Sequence, residues 1–231
     1  MFTTTVIYTT SGTITTTIPS GCSSIKVECY GGGGHGGSVE YAAGAGASGG
    51  CYSKTNSVIC SPGQSIIIIV AAIRNWQAGT PINGNDSYVS INSVEVCRAK
   101  GGISANGNSP GIGSITGCIG DLSNPGGDGD SGLANSYSGG GGASGTTERQ
   151  GGNADTYLGG VASGDINGLA GDGANGLVDP NYGTGYTGGL YGGGGSGGYH
   201  PYEIGDGGIG QRGAVKLTYT IDDQNMLLAF Y

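Results

Sequence analysis

Residues 101–213 constrain the fold of this chain more than any other stretch. Forty of the 55 glycines in the 231-residue chain lie there, among few long aliphatic side chains. Because an ordinary core is built from buried apolar side chains, this block cannot form one. It must either stay disordered or pack backbone against backbone.

The sequence of the block argues against both a collagen helix and a disordered linker. Its glycines do not recur at every third position, which excludes a collagen helix. The residues between them include many tyrosines and leucines, which a solvated Gly/Ser linker does not carry. Extended glycine runs can pack as polyproline-II-like helices, since backbones without Cβ atoms approach closely enough to exchange lateral hydrogen bonds. We therefore predict a layer of packed polyglycine-II helices.

The flanking sequence shows the alternation of β-strands. In residues 24–30, Ile25, Val27 and Cys29 fall on one face, and the polar alternate residues are predicted to face water. Four consecutive isoleucines within residues 64–73 favour a strand buried on both faces. Further strands are predicted at residues 3–10, 12–18, 51–60, 88–99 (with an irregularity at Asn92 and Ser93) and 214–221, the last returning to pair with the N-terminal strands.

These patterns together predict an all-β fold in a single domain, residues 1–231. Residues 1–100 and 214–231 are expected to form an antiparallel β-sandwich-like base, and residues 101–213 an inserted glycine-rich layer of polyglycine-II helices. The base carries the predicted strands, and the layer carries most of the glycine.

The charge balance argues against two classes of partner. A formal charge of −8, from 16 acidic and 8 basic residues without any basic cluster, excludes a nucleic-acid site and an anionic membrane surface. No apolar run is long enough for membrane insertion, and the N-terminus lacks the basic start and apolar run of a secretory signal. We expect synthesis in a cytoplasm without an export signal.

The six cysteines are compatible with two interpretations. Three disulfides would suit an extracellular setting, whereas buried free thiols would suit a cytosolic one, and a virion protein could hold either. No spacing typical of a zinc site occurs. The residues are Cys22, Cys29, Cys51, Cys60, Cys97 and Cys118.

No catalytic or cofactor pattern is present, and we predict a protein that is not an enzyme. His35 and His200 are the only histidines, and no GxSxG nucleophile elbow occurs. The GGDGDSG segment at residues 126–132 resembles calcium-binding glycine/aspartate repeats but occurs once, so we interpret its aspartates as acceptors for turn amides. No metal or cofactor is expected.

Five tyrosines gather near the end of the glycine block. Tyrosine with Gly, Asn and Thr is the composition of antibody binding loops, because its ring gives rigid contact area and a hydroxyl. The same residues could instead pack over the glycine layer. The receptor-binding candidates are Asn181, Tyr182, Tyr186, Tyr191, Tyr199 and Tyr202.

An ordered set of motifs resembles a known family. GTITTTIPSG, SSIKVECYGGGGHGG, GASGGCYSK and SPGQSIIIIV precede the long glycine-rich middle, and GGGGSGGYH and GDGGIGQRGAVKLTYT close it. This order, over residues 12–220, is similar to the glycine-rich domain of phage tail-fibre and adhesin proteins and some bacterial surface proteins. The resemblance implies a β-sandwich-like base with a polyglycine-II layer, virion or cell-surface placement and no catalysis.

The resemblance also implies that specificity lies in loops that join the glycine helices. We expect an adhesive component of a virion appendage, a tail or head fibre, whose partners are other virion proteins and a host cell-surface glycan or outer-membrane protein. An enzyme such as a depolymerase is a weaker interpretation. The candidate loops are residues 106–108, 121–124, 135–138, 146–150, 179–182 and 199–203.

The alternative function is a self-assembling subunit of an extracellular or virion fibre or shell. In it, the terminal strands would pair with neighbouring subunits of a homo-oligomer by strand addition. The assembly candidates are Phe2, Val6, Leu227, Leu228, Phe230 and Tyr231.

Overall fold

The computed structural model describes residues 1–74 and 80–222, and within them the regular structure is β-strand. Trp76 and the apolar C-terminal tail lie outside the described residues. The eleven strands of the described residues are β1 (Phe2–Tyr8), β2 (Gly12–Thr17), β3 (Cys22–Tyr30), β4 (Val39–Ala43), β5 (Tyr52–Ile59), β6 (Ser65–Val70), β7 (Ser87–Ile91), β8 (Val94–Ala99), β9 (Leu122–Asn124), β10 (Tyr199–Gly205) and β11 (Ala214–Ile221).

Two antiparallel sheets form the base of the molecule. One has the order β1-β11-β3-β5-β9 and the other β2-β6-β7-β8. Their inner faces share one core, to which β3 contributes Ile25 and Val27, β11 Leu217, and the second sheet Ile68 and Val89. All five are fully buried. The all-β, sandwich-like prediction is therefore confirmed, and so is the return of residues 214–221 to the N-terminal β1.

Three strand predictions need correction. Residues 214–221 pair with one of the two N-terminal strands and not with both, because β1 pairs with β11 whereas β2 pairs with β6 in the other sheet. The predicted strand at residues 88–99 is a hairpin, since Asn92 and Ser93 take φ values of 47° and 67° and reverse the chain. The isoleucine strand β6 buries one face only, as Ile67 and Ile69 remain half-buried.

The face of β3 that was predicted to be wet is covered. Glu28 is 2% exposed and Tyr30 is fully buried. Tyr30 packs with Tyr52 and Leu169, and its hydroxyl donates to Asp165 Oδ1 at 2.7 Å. The covering residues come from the glycine block, so alternation within one strand could not reveal them.

The glycine layer is held together by a three-residue cycle of hydrogen bonds. Successive amides of residues 31–37 donate to three different neighbouring segments in turn, at N···O distances of 2.7 to 3.3 Å. Lateral donation with this period is the signature of packed polyglycine-II helices, which have three residues per turn and no internal bonds. The bonds run from Gly31, Gly34 and Gly37 to Cys51, Ser48 and Ala45, from Gly32 and His35 to Asn85 and Ile82, and from Gly33 and Gly36 to Gln211 and Gly208.

The same cycle recurs in other segments. Residues 139, 142 and 145 donate to carbonyls of residues 44, 47 and 50, while residues 141 and 144 donate to 174 and 171. The central segments 31–37, 43–50, 138–146 and 192–198 are buried throughout. The layer thus extends beyond the predicted 101–213 and includes two glycine runs from the first fifty residues.

Successive segments run away from the sheets and back again. Strands β3 and β8 lead into the layer, and β11 leaves it. At about 3.1 Å per residue, a seven-residue segment extends about 22 Å from the sheets. We call the far side the distal end; it is closed by the β4–β10 pair and by turns at residues 106–109, 133–137, 155–158 and 178–182.

Candidate binding surface

A two-stranded ribbon of β4 and β10 caps the distal end. Its register pairs Tyr199 with Ala43 and Gly205 with Val39, and it shifts between His200 and Ile204. Because this irregularity leaves the intervening residues of β10 without a matched partner, they project from the cap. Tyr199 is 1% exposed and packs with Ala43 and Leu177, which anchors the ribbon to the layer.

Four aromatic side chains meet on this ribbon. The Tyr182 ring centroid lies 5.4 Å from that of Tyr199, 6.0 Å from His200 and 6.3 Å from Tyr202, and the two tyrosine contacts are edge-to-face. Tyr182 is 41% exposed and Tyr202 72% exposed. The cluster therefore has a buried tyrosine beneath two exposed rings held in fixed mutual orientation. We call Tyr182, Tyr199, His200 and Tyr202 the distal aromatic cluster.

A hydrogen bond fixes the exposed Tyr182. Its hydroxyl donates to Asp179 Oδ1 at 2.6 Å. That bond, with desolvation, raises the pKa of Tyr182 to about 12. The protonated ring lies exposed to solvent beside the Asp179 carboxylate.

The structure separates the predicted receptor-binding residues into groups. Tyr182, Tyr199 and Tyr202 come together in the distal aromatic cluster, and Asn181 lies exposed beside Tyr182. Tyr186 is 55% exposed, and its amide donates to Ser196 Oγ at 2.8 Å within the layer.

Tyr191 lies at the opposite end of the layer. It packs against the Tyr30 and Tyr52 cluster next to the sheets, with the Arg212 guanidinium 5.5 Å from its ring centroid. The eight-residue path to Tyr199 in a polyglycine-II segment covers about 25 Å. The prediction grouped Tyr191 with the distal tyrosines because they are close in sequence. In the structure, the extended segment between Tyr191 and Tyr199 keeps these two residues at opposite ends of the layer.

Sequence reasoning missed two residues of the distal surface, Tyr41 and Ile204, which are 63% and 60% exposed on the two strands of the ribbon. His200, which lies in the candidate loop 199–203 but was not among the receptor-binding residues, belongs to the aromatic cluster. The signal was present in the sequence, because Tyr41 and Ile204 each lie in a short apolar and charged stretch between glycine runs. In a layer of this kind, such stretches form the caps and turns.

The distal end carries acidic residues without lysine or arginine. Glu40, Asp155, Asp179 and Glu203 are exposed there. The eight basic residues fall outside β4, β10 and the four distal turns: Lys26, Lys54, Arg74, Arg98, Lys100, Arg149, Arg212 and Lys216. The distal surface is therefore aromatic and negatively charged.

Four of the six candidate loops are distal and two are not. Residues 106–108, 135–138, 179–182 and 199–203 belong to the distal turns and ribbon. Residues 122–124 form β9, which pairs with β5 in the base. Residues 146–150 also lie at the base end, where Thr147 Oγ1 donates to the carbonyl of Gly164.

The assembly candidates divide in a similar way. Phe2 is 40% exposed at the start of β1, while Val6 packs against the core opposite Leu217. Leu227, Leu228, Phe230 and Tyr231 lie outside the described residues. Strand β1 lies at an edge of its sheet.

The aspartates of the glycine block hold backbone amides. Asp128 Oδ1 accepts from Gly113 at 2.8 Å, and Asp130 Oδ2 from Thr156 at 2.7 Å. This confirms their interpretation as amide acceptors. In residues 1–74 and 80–222, no group of three or more His, Cys, Asp or Glu side chains is placed to hold a metal ion.

His35 is the one histidine inside the layer. It is 2% exposed, and burial lowers its pKa, with only partial opposition from a backbone group of Arg74. The imidazole is therefore neutral at pH 7, as expected for a side chain that packs between glycine segments.

The part of the chain that the structure describes contains no helix with the length and apolar character needed to cross a membrane.

Comparison with known families agrees with this architecture. The model of the glycine-rich domain family matches residues 9–220, which is nearly the whole chain. The chain belongs to this glycine-rich domain family. A search of curated proteins finds no match to it. In this glycine-rich domain, the match begins directly after β1 and ends within β11, so that it includes the base apart from β1 and all of the layer.

Proposed function

We propose that this glycine-rich domain is a non-enzymatic adhesive component of a virion appendage, a tail or head fibre, and that it binds a host cell-surface glycan through its distal end. The observation that carries the proposal is the distal aromatic cluster, with Tyr182 and Tyr202 exposed above a buried Tyr199. It lies on a cap that the rigid layer holds away from the base.

The chemistry of the distal surface fits an uncharged sugar. Exposed tyrosine rings offer flat apolar faces on which a pyranose ring can stack, and their fixed orientation lowers the entropy lost on binding. The carboxylates of Asp179 and Glu203 can accept hydrogen bonds from sugar hydroxyls, and the Asn181 amide can donate and accept. Anionic glycans are disfavoured, because their charge would meet carboxylates without lysine or arginine.

Removal of either exposed ring is expected to weaken attachment to host cells. For Tyr202→Ala or Tyr182→Ala, we expect an about tenfold loss of affinity, which corresponds to about 1.4 kcal/mol. Tyr202 is 72% exposed, so its replacement leaves the fold intact. The measurement is binding of the purified chain to host cells and to an array of neutral and anionic glycans.

The matched control is Ile59→Ala at the base, since Ile59 is 89% exposed and far from the cap. This variant should bind like the unchanged chain. If both tyrosine variants bound as tightly as the unchanged chain and had the same melting temperature, the distal site would be refuted. Preference for anionic glycans would refute the choice of ligand.

The alternative, a self-assembling fibre or shell subunit, is favoured by one observation. Strand β1 pairs with β11 on one side and has an edge position in its sheet. Edge strands add strands from other chains through their unpaired backbone groups. If assembly is the function, sedimentation of the full chain should show oligomers that grow with concentration. A monomer at all concentrations would rule out this alternative.

A further inference from the structure

Two thiols face each other at the end of the base remote from the glycine layer. Cys22 begins β3 and Cys60 follows β5, and their sulfur atoms lie 3.8 Å apart. The amide of Cys60 donates to the carbonyl of Ser23 at 3.1 Å, so the backbone pairing of β3 with β5 continues up to both residues. Both side chains are buried, at 2% and 7% exposure.

We propose that Cys22 and Cys60 form a disulfide when the protein is exposed to an oxidising medium that contains a low-molecular-weight disulfide. The inference rests on their contact alone and does not depend on the proposed function. It selects one link for these two thiols from the 15 pairings that six cysteines allow.

The backbone is already in place for this bond. A disulfide requires sulfurs about 2.0 Å apart, so the two atoms must approach by about 1.8 Å. Rotation of the side chains about χ1 can provide that movement, because the β3–β5 pairing up to Ser24 and Ile59, together with the bond from Cys60 to Ser23, keeps the two residues adjacent. Cys22 Sγ also donates to Ser24 O at 3.4 Å, a weak contact that leaves the thiol free to turn. The remaining thiols have neighbours of their own, since Cys97 lies beside Cys29 and donates to Ser53 O at 3.4 Å, and Cys51 lies beside Cys118 and donates to Ser114 O at 2.7 Å.

The reaction is thiol–disulfide exchange in two steps. One protein thiol loses its proton to solvent, and the resulting thiolate attacks the small disulfide. This step releases one small thiolate and leaves a mixed disulfide on the protein. The second protein thiolate then attacks the protein-bound sulfur and releases the other small thiolate. Two electrons pass to the reagent, and two protons pass from the protein thiols to the released thiolates.

Burial governs the rate of this exchange. Desolvation, together with the Cys22 neighbour, raises the pKa of Cys60 to about 12. Because the thiolate is the reactive species, closure should accelerate as pH rises from 7 to 9. Cys60 is followed by the exposed Ser61, so it lies next to solvent at this end of the base.

The bond would enclose a long and important part of the fold. Between Cys22 and Cys60 lie β3, β4 and β5 and the two buried glycine segments 31–37 and 43–50. A cross-link over a loop of this length restricts the unfolded chain. We therefore expect the melting temperature to rise by roughly 10 °C on closure.

The test uses the full chain, purified under reduction and then incubated with oxidised glutathione at pH 8.5. Free thiols are alkylated after unfolding, and peptides are mapped by mass spectrometry without reduction. The expected product is a peptide pair linked through Cys22 and Cys60, which loses two hydrogen atoms relative to the thiols. Its yield should follow the rise in melting temperature, and both should reverse with reductant.

Two variants separate this bond from other cysteine chemistry. Cys60→Ser should lose the oxidant-dependent rise in melting temperature, whereas the control Cys118→Ser should retain both the link and the rise. The mapping of the unchanged chain is decisive even if a variant fails to fold. Alkylation of both Cys22 and Cys60 after prolonged oxidation, or links from them to other cysteines, would overturn the proposal.

Discussion

Replacement of Gly46 by alanine is expected to prevent the layer from folding. A Cβ atom at residue 46 would lie 1.8 Å from the carbonyl oxygen of Gly140 and 2.3 Å from its carbonyl carbon. Both atoms belong to the backbone of a buried segment, so no side-chain rotation can relieve the overlap. We expect a loss of more than ~4 kcal/mol in the free energy of unfolding, measured by chemical denaturation, or the absence of soluble protein.

Gly63→Ala provides the matched control for that change. Gly63 has φ +82°, and no atom lies within 4 Å of the position that an alanine methyl group would take there, so only backbone strain opposes the substitution. That strain costs about 1–2 kcal/mol. If Gly46→Ala were no more destabilising than Gly63→Ala, the close backbone packing of the layer would be refuted.

Glu28→Ala is expected to destabilise the junction between the base and the layer by about 3–5 kcal/mol. Glu28 Oε1 accepts hydrogen bonds from the Tyr52 hydroxyl at 2.7 Å and from Asn167 Nδ2 at 2.9 Å. Its Oε2 lies 2.9 Å from Lys26 Nζ and 3.5 Å from Lys216 Nζ. Loss of the carboxylate leaves the buried Tyr52 hydroxyl and the ammonium groups of Lys26 and Lys216 without their common partner. Denaturant unfolding measures the difference.

The same carboxylate should make stability depend on pH. Burial opposes ionisation, but hydrogen bonds from Asn167 and Tyr52 and the nearby Lys26 outweigh it, so the pKa of Glu28 is lowered from 4.5. A lowered carboxyl pKa stabilises the fold above the unfolded value, and this contribution is lost as pH falls below about 4.5 toward the folded pKa.

Glu148→Ala is the control for Glu28→Ala, because Glu148 is half-exposed and pairs only loosely with Arg149 at 3.5 Å. It should change the free energy of unfolding by less than about 1 kcal/mol. Part of the loss in stability between pH 5 and 3 should vanish in Glu28→Ala. An unchanged acid dependence in that variant would show that the carboxylate does not link base and layer.

The sequence allowed the class of fold to be predicted for a clear physical reason. Alternating apolar residues specify strands, and glycine runs without a collagen period leave lateral backbone packing as the ordered solution. The prediction was wrong where a distant segment covers a strand. Glu28 and Tyr30 are polar or amphipathic in sequence, and residues 165–169, more than a hundred positions away, help to bury them.

The candidate surface was predictable in part, because a bulky tyrosine between glycine runs fits at the ends of the segments or, like Tyr186, on the outside of the layer. Which end each occupies depends on the number of passes through the layer, and the sequence does not mark the direction of each pass. The prediction placed Tyr182 and Tyr202 in one group, and the structure brings their rings into contact although they are twenty positions apart. Tyr191, which is nearer to both in number, lies at the base end.

The lateral bonds of the layer have a mechanical consequence. A pull that acts on the distal end against the base runs along the glycine segments and across their hydrogen bonds. Such a load must shear many bonds at once, whereas a peeling load would break them singly. Each segment is also bonded to segments remote in sequence, so slippage of one is resisted by several others. A layer held by backbone hydrogen bonds between its segments can in this way transmit tension from the distal end to the base.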